Sequence, residues 1–235
     1  MKRAALALLL LCGAAALALD WAAVASVRIP AGEVASVAVH GVQVWQRPIE
    51  IEYIEATGTQ SINTGVVLTP AHRIEADFEF TQVSTKQQRV FEQYDRSGHL
   101  FVALYINGAG NIGYAWSQTA GDWKSVSKAI SAARRKYVLD GPNRLLQVGA
   151  TTATLPLVEN TGPGEATVTL GSKDTSGVKP TYGKWYSAKI YNGDVLVRDF
   201  IPVRIGRTGY LYDRVSDALF GNAGTGAFLL GPDKE

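Results

Sequence analysis

Three carboxylates occupy alternate positions in one segment of the chain. They are Glu75, Asp77 and Glu79, separated by Ala76 and Phe78. In a β-strand, side chains two residues apart point to the same face, so we expect the three acids to share one face. Neighbouring carboxylates raise one another's proton affinity, which is what a general acid beside a nucleophile requires. The pattern is therefore compatible with hydrolysis of a glycosidic bond.

The same segment also fits an ordinary surface strand. Its other face carries Ala76, Phe78 and Phe80, and a half-buried strand with apolar residues inward has its charged residues in solvent. We favour this interpretation and expect the protein not to be an enzyme. Hydrolysis is the alternative.

A second group of residues is aromatic and follows in the middle of the chain. Tyr114, Trp116 and Trp123 flank a polar loop, and Asp122 and Asn111 add hydrogen-bonding groups. Exposed Trp and Tyr rings stack on sugars, so these five residues are a candidate ligand-binding site. The alternative is that Tyr114 and Trp116, two residues apart, fill the core from one face of a strand. Trp123 is expected to be the most exposed of the three rings.

Charge and cysteine content exclude several functions. The net charge is +2 and no basic stripe is present, so we expect no nucleic-acid partner. Cys12 is the single cysteine, which excludes an intrachain disulfide, and the three histidines lack the spacing of a metal pair. No cofactor is expected. Calcium stays open, but no compact run of Asp and Asn ligands supports it.

The N-terminal segment has the pattern of an export signal. Lys2 and Arg3 precede the apolar or small residues 4–19, and Ala16-Leu17-Ala18 fits a small-x-small cleavage site. We predict that residues 1–26 are a signal peptide or, alternatively, a retained N-terminal helix packed against a neighbouring subunit. N-terminal sequencing of the mature protein separates the two, since cleavage gives a chain starting near Leu19. Cleavage would place the protein outside the cell or at its surface, whereas a retained helix would favour a component of a virion.

The remaining chain is predicted to be all-β. Residues 27–48 contain two turns between short alternating runs, which predicts a small β-hairpin and a connector. Residues 49–235 contain about a dozen short alternating runs separated by turn residues, typical of a two-sheet antiparallel β-sandwich. Asn192-Gly193 between two such runs is a strong hairpin signal.

The two ends of this domain resemble a known family. Residues 52–65 read EYIEATGTQSINTG, and residues 189–203 and 221–226 read KIYNGDVLVRDFIPV and GNAGTG. Together they resemble the concanavalin A-like, laminin-G-type jelly-roll domains of gut bacterial surface proteins and of phage tail or fibre proteins. The resemblance implies a non-catalytic module for adhesion or for recognition of a glycan or protein on a cell surface. It also implies neighbouring virion or surface-assembly subunits as partners.

A second resemblance concerns the three carboxylates alone. The spacing of Glu75, Asp77 and Glu79 resembles the catalytic strand of family-16 β-glucanases, which share the jelly-roll architecture. It implies Glu75 as the nucleophile, Glu79 as the acid/base and Asp77 as the residue that modulates both. The alternative function is accordingly a secreted β-glucan hydrolase.

Overall fold

A computed structural model describes most of the chain after residue 26. The described residues are 27–29, 32–34, 36–39, 42–82, 87–95, 99–107, 109–119, 122, 124–127, 133–159, 163–173 and 179–235. The predicted signal peptide or helix at residues 1–26 lies outside them, as does Trp123. Both therefore stay predictions.

The regular structure of the described residues consists of β-strands. In the first half of the chain these are β1 (Val27–Ile29), β2 (Gly32–Val34), β3 (Ser36–Val39), β4 (Val42–Gln46), β5 (Ile49–Glu50), β6 (Ile54–Gly58), β7 (Ile62–Asn63), β8 (His72–Phe80), β9 (Gln88–Gln93), β10 (Phe101–Ile106) and β11 (Ile112–Ser117). In the second half they are β12 (Lys124–Ser127), β13 (Arg135–Asp140), β14 (Leu145–Val148), β15 (Thr151–Thr154), β16 (Thr169–Leu170), β17 (Thr181–Asn192), β18 (Val195–Ile205), β19 (Thr208–Asp213), β20 (Ala218–Phe220) and β21 (Leu229–Leu230).

Two large antiparallel sheets make up the domain, which confirms the predicted all-β sandwich. The six-stranded sheet has the order β12-β11-β10-β9-β16-β7. The eleven-stranded sheet has the main order β15-β14-β13-β8-β17-β18-β19-β20, with β5 paired to β18, β6 to β17 and β21 to β6. The segment predicted as one small hairpin contains two separate two-stranded ladders, β1–β2 and β3–β4.

The core lies between the two large sheets and explains the alternation seen in β8. Along β8 every second residue is buried, and Phe78 and Phe80 pack inward at ring-centroid distances of 4.8 Å from each other. Trp185 of β17 joins them, 4.9 Å from Phe78, while Leu104 and Phe91 enter the same core from the six-stranded sheet. Burying each such side chain contributes about 1.5–3 kcal/mol, so the inward residues determine which face of β8 is left to solvent.

Strand β17 has two local features that shape the outer face of the eleven-stranded sheet, which is the face directed away from the core. The β17–β18 hairpin pairs Asn192 with Val195, so Gly193 and Asp194 form the turn, one residue later than the Asn-Gly signal suggests. Gly193 has a φ of +57°, as a two-residue hairpin with glycine in its first central position requires. Nearer the N-terminal end of β17, its register with β8 shifts between Trp185 and Ser187. Tyr186 is the extra residue of this β-bulge, and bulges re-aim side chains in this way.

Candidate functional site

The three predicted carboxylates lie together on the outer face of the eleven-stranded sheet. Glu75, Asp77 and Glu79 are partly exposed and alternate with the buried residues of β8. Lys136 of β13 is the cross-strand neighbour of Asp77, and Lys189 of β17 is that of Glu75. The predicted shared face is thus correct, and cations from two other strands accompany the acids.

Each carboxylate has a partner of its own. Lys136 Nζ lies 2.8 Å from Glu75 Oε2, and Arg73 Nε lies 3.2 Å from Glu75 Oε1 as an ion pair without hydrogen-bond geometry. The Arg134 guanidinium donates two hydrogen bonds to Asp77, at 2.9 and 2.6 Å. The acids are therefore held by separate partners rather than grouped around a shared proton.

The third carboxylate belongs to an aromatic unit built on the bulge. The Tyr186 hydroxyl donates a 2.6 Å hydrogen bond to Glu79 Oε2. The Arg134 guanidinium carbon lies 3.7 Å from the centre of the Tyr186 ring, and the Tyr53 ring packs edge-on at 5.6 Å. Burial, with the hydrogen bond to Glu79, raises the pKa of the Tyr186 phenol, and the hydrogen bonds to Asp77 raise the pKa of Arg134. Tyr186 is consequently a neutral, fixed donor with one ring face already covered by Arg134.

This geometry gives the hydrolase alternative no support. In an extended strand with a rise of about 3.3 Å per residue, the Cα atoms of Glu75 and Glu79 are about 13 Å apart. A retaining glycosidase needs carboxyl groups about 5–5.5 Å apart and an inverting one about 6.5–9.5 Å. The two side chains would have to lean toward each other, yet Glu75 reaches Lys136 and Glu79 reaches Tyr186. Hydrolysis stays a prediction from the sequence alone.

An open depression lies among these charged side chains. Its volume is about 340 Å³, and its polar lining comprises Glu75, Asp77, Arg134, Arg135, Lys136, Ser187 and Lys189. Ser187 follows the bulge and pairs with Asp77 across the strands, and its short side chain leaves space among the longer ones. Carboxylates accept hydrogen bonds and cations donate them, so this lining can serve groups that do both, such as hydroxyls.

Two of the five residues of the predicted aromatic site lie in the core. Tyr114 and Trp116 are only 6% and 3% exposed and belong to the core between the sheets, so their rings are not available to stack on a ligand. They point inward because β11 turns this face toward the opposite sheet. Asp122 is partly exposed, with Lys124 Nζ 3.6 Å from its carboxylate, and Asn111 is half-buried in the turn after β10.

A second polar cluster lies on the six-stranded sheet, on the face away from the core. Arg89 is fully buried, and its Nε donates to Glu92 Oε2 at 3.1 Å. The Glu92 carboxylate also accepts hydrogen bonds from the Ser172 hydroxyl and the Lys173 backbone N–H, at 3.1 and 2.7 Å. Burial lowers the pKa of Arg89, and the ion pair with Glu92 opposes this effect. We interpret this buried network as structural, because it ties β9 to the segment that follows β16.

The described part of the chain lacks two further features. No group of three or more His, Cys, Asp or Glu residues there could hold a metal ion. Nor do these residues include a helix of sufficient length and hydropathy to span a membrane.

The residues missed by the sequence analysis are those that complete the depression. Arg134, Lys136, Ser187 and Lys189 come from parts of the chain far from β8, and Arg134 is 57 positions from Asp77. The cluster Arg134-Arg135-Lys136 is visible in the sequence, but its length alone is typical of a solvated turn. Only the pairing of β13 and β17 with β8 brings these residues together.

Comparisons with known proteins identify a shared fold. No protein-family model and no curated protein matches the sequence. A candidate carbohydrate-binding protein from Bacteroides ovatus has a TM-score of 0.51 at 10% identity, with 81% of this chain and 62% of that chain covered. This chain thus spans less than two thirds of that protein's length.

Two lower-scoring similarities involve proteins related to sialidases. The CBM40 of a Ruminococcus gnavus IT-sialidase, bound to α2,6-sialyllactose, has a TM-score of 0.42 at 20% identity, covering 63% of this chain and 91% of that chain. A leech intramolecular trans-sialidase has a TM-score of 0.40 at 13% identity, covering 80% and 38%. Neither score supports a functional conclusion. The chain shares a β-sandwich fold with the Bacteroides ovatus protein.

Proposed function

We propose that this domain is a non-catalytic carbohydrate-recognition module that binds a glycan on the outer face of its eleven-stranded sheet. The observation that carries the proposal is the open depression over β13, β8 and β17, in which carboxylates and cations are already fixed by one another. Its volume of about 340 Å³ lies at the lower end of small-ligand sites, which are commonly about 300–1,000 Å³. A site of this size fits one or two sugar rings.

The chemistry of the lining suits a hydroxyl-rich ligand. Each sugar hydroxyl is both a donor and an acceptor, and here Asp77 and Glu75 offer acceptors next to the donors of Arg134 and Lys136. Because these ion pairs fix the side chains before a ligand arrives, less conformational freedom is lost on binding. Tyr186 acts through Arg134, whose guanidinium packs on its ring.

The fold comparison is consistent with the proposal and does not select it. The Bacteroides ovatus protein is a candidate carbohydrate-binding protein, but a β-sandwich hosts many functions. The setting of the activity, outside a bacterial cell or on a phage virion, stays a prediction from the N-terminal sequence and from the family resemblance.

A glycan array followed by titration tests the proposal. We expect at least one glycan to bind, and Tyr186→Ala to weaken that binding roughly five- to tenfold because Arg134 loses the ring on which it packs. Tyr210→Ala is the matched control: Tyr210 is also partly exposed, but it lies on β19, two strands away from β17. It should bind as the wild type does.

A third variant addresses the site predicted from the sequence. Trp123→Ala should leave the affinity unchanged if the depression is the binding site. The proposal is wrong if no glycan binds, or if Trp123→Ala weakens binding while Tyr186→Ala does not. Thermal melting of each variant confirms that the fold is intact.

A further inference from the structure

We infer that the glycan recognised by this depression is acidic: it carries a carboxylate or a sulfate ester, which binds among Arg134, Lys136 and Lys189. This inference rests on the proposed function and adds the class of ligand. Three observations support it. The cations are more exposed than their carboxylate partners, positive charge is in excess around the depression, and each ammonium group has three N–H donors.

Arg134, Lys136 and Lys189 pair with Asp77, Glu75 and Asp199, and in each pair the cation lies closer to solvent than the carboxylate. The side chains of Arg134, Lys136 and Lys189 are 53%, 55% and 38% exposed. Their partners are lower: Asp77 is 29% exposed, Glu75 15% and Asp199 13%. A ligand that approaches this face therefore meets positive charge first, although most of the charges are paired.

The balance of charge has the same sign. Four cations and two carboxylates line the depression, which leaves an excess of two positive charges. Including Arg73 and Asp199, the remaining partners of Glu75 and Lys189, adds one charge of each sign, and including Glu79, which is bonded to Tyr186 next to Arg134, leaves an excess of one positive charge. The net charge of the entire chain is only +2, so the excess among the lining residues alone equals that of the whole protein.

The cations can hold a ligand anion without releasing their present partners. An ammonium group has three N–H donors, so Lys136 can contact Glu75 and an anion together, and Lys189 can do the same beside Asp199. Hydrogen bonds to an ionised acceptor are roughly twice as strong as neutral ones. An acidic sugar consequently gains more from this site than a neutral sugar with the same hydroxyl pattern.

The test compares matched glycans on the full-length protein. The probes are oligosaccharide sets printed in neutral, uronate-containing and sulfated forms, with polyglutamate as a polyanion that contains no sugar. We expect acidic members to bind about tenfold or more tightly than their neutral counterparts, the gain of one or two charge-assisted hydrogen bonds. This preference should shrink as salt rises from about 0.05 to 0.5 M, because salt screens exposed charges. The uronate and sulfate arms identify which anionic group is preferred.

Two lysine variants connect the preference to the site. Lys136→Gln and Lys189→Gln should each weaken binding of the acidic glycan about three- to fivefold, as expected for an exposed ion pair. Each change should weaken binding of neutral glycans less, because glutamine still donates a hydrogen bond to a hydroxyl, so the preference for acidic glycans should narrow. Neither change leaves a carboxylate without a cation, because Glu75 keeps Arg73 and Asp199 keeps Arg214. Lys136→Arg and Lys189→Arg should retain the preference.

The control is a lysine in a similar ion pair elsewhere on the surface. Lys234 pairs with Glu50 at 2.6 Å and is 41% exposed, so Lys234→Gln removes one positive charge from the chain without touching the depression. It should bind the acidic glycan as the wild type does. An equal loss in Lys234→Gln would overturn the inference, because the effect would then come from net charge alone.

The remaining outcomes separate this inference from the proposed function. Equal binding of neutral and acidic glycans overturns the acidic preference and leaves carbohydrate recognition standing. Equal binding of polyglutamate also overturns it, since recognition would then need no sugar. Failure of every glycan to bind overturns the proposed function and the inference with it.

Discussion

Single side chains on β8 show how cross-strand partners decide what a carboxylate can do. Glu75 and Asp77 are acids with spacing suitable for catalysis, yet Lys136 and Arg134 hold them as acceptors in fixed ion pairs. Exposed ion pairs contribute only about 0–1 kcal/mol each to stability. Their main effect at this site is to present donors and acceptors in fixed positions.

One residue at the start of β8 gives the protein a pH-dependent stability. His72 is largely buried, and its Nδ1 accepts a 3.0 Å hydrogen bond from the Thr69 backbone N–H. Burial lowers the pKa of His72 from its ordinary value of 6.5. The unfolded chain therefore takes up this proton at a higher pH than the folded protein does. The resulting stability is fully present above the unfolded pKa and is lost as the pH falls from there through the lower folded pKa.

The prediction is that His72→Asn removes this part of the pH dependence. Asparagine keeps an acceptor near the position of Nδ1 but does not titrate. The free energy of unfolding, measured in urea at pH 7.5 and at pH 5.0, should fall less in His72→Asn than in the wild type. An identical fall in His72→Asn and the wild type would contradict the assignment.

At the scale of elements, β17 organises the site. It pairs with β8 and β18 on its two sides, its bulge turns Tyr186 and Ser187 outward together, and its inward residues anchor it in the core. Gly183 allows this close pairing. A Cβ atom at Gly183 would lie 2.2 Å from Cζ of Phe78 and 2.5 Å from the carbonyl oxygen of Glu79.

We predict that Gly183→Ala destabilises the fold by about 1–3 kcal/mol or more, because the added methyl group overpacks the core and pushes on the backbone of β8. Gly221→Ala is the control, since its Cβ would make only ordinary contacts of 3.5 Å or longer to the Tyr210 ring. Urea unfolding measures both variants. Equal stability of the two would show that β17 and β8 are packed less closely than the structure indicates.

Single strands and one hairpin could be predicted from the sequence, but the pairing between distant strands could not. The alternation of β8 predicts its outer face, and the Asn192-Gly193 signal predicts the hairpin to within one residue. The cations that face Glu75 and Asp77 could not be predicted, since Lys136 and Lys189 lie on strands whose register with β8 depends on the whole topology. A one-residue slip in either register would turn these lysines to the other face.

For the molecule as a whole, the short alternating runs predict a two-sheet sandwich. They do not predict which aromatic residues reach its surface. In the six-stranded sheet both faces of β10 are buried: Leu104 lies in the main core, and Phe101 and Tyr105 lie in a separate cluster. Without an exposed face, alternation cannot separate core from surface. The alternation therefore leaves both alternatives open for Tyr114 and Trp116, a ligand-binding site or the core.

The central claim is that the outer face of the eleven-stranded sheet is the glycan-binding surface. Mapping backbone amide NMR shifts of the isotopically labelled protein, while the array-identified glycan is added, tests it most directly. We predict that the largest shifts fall on Asp77, Lys136, Ser187 and Lys189, with little change at Asn111 or Asp122. Shifts concentrated at Asn111 and Asp122, with those four amides unmoved, would contradict it.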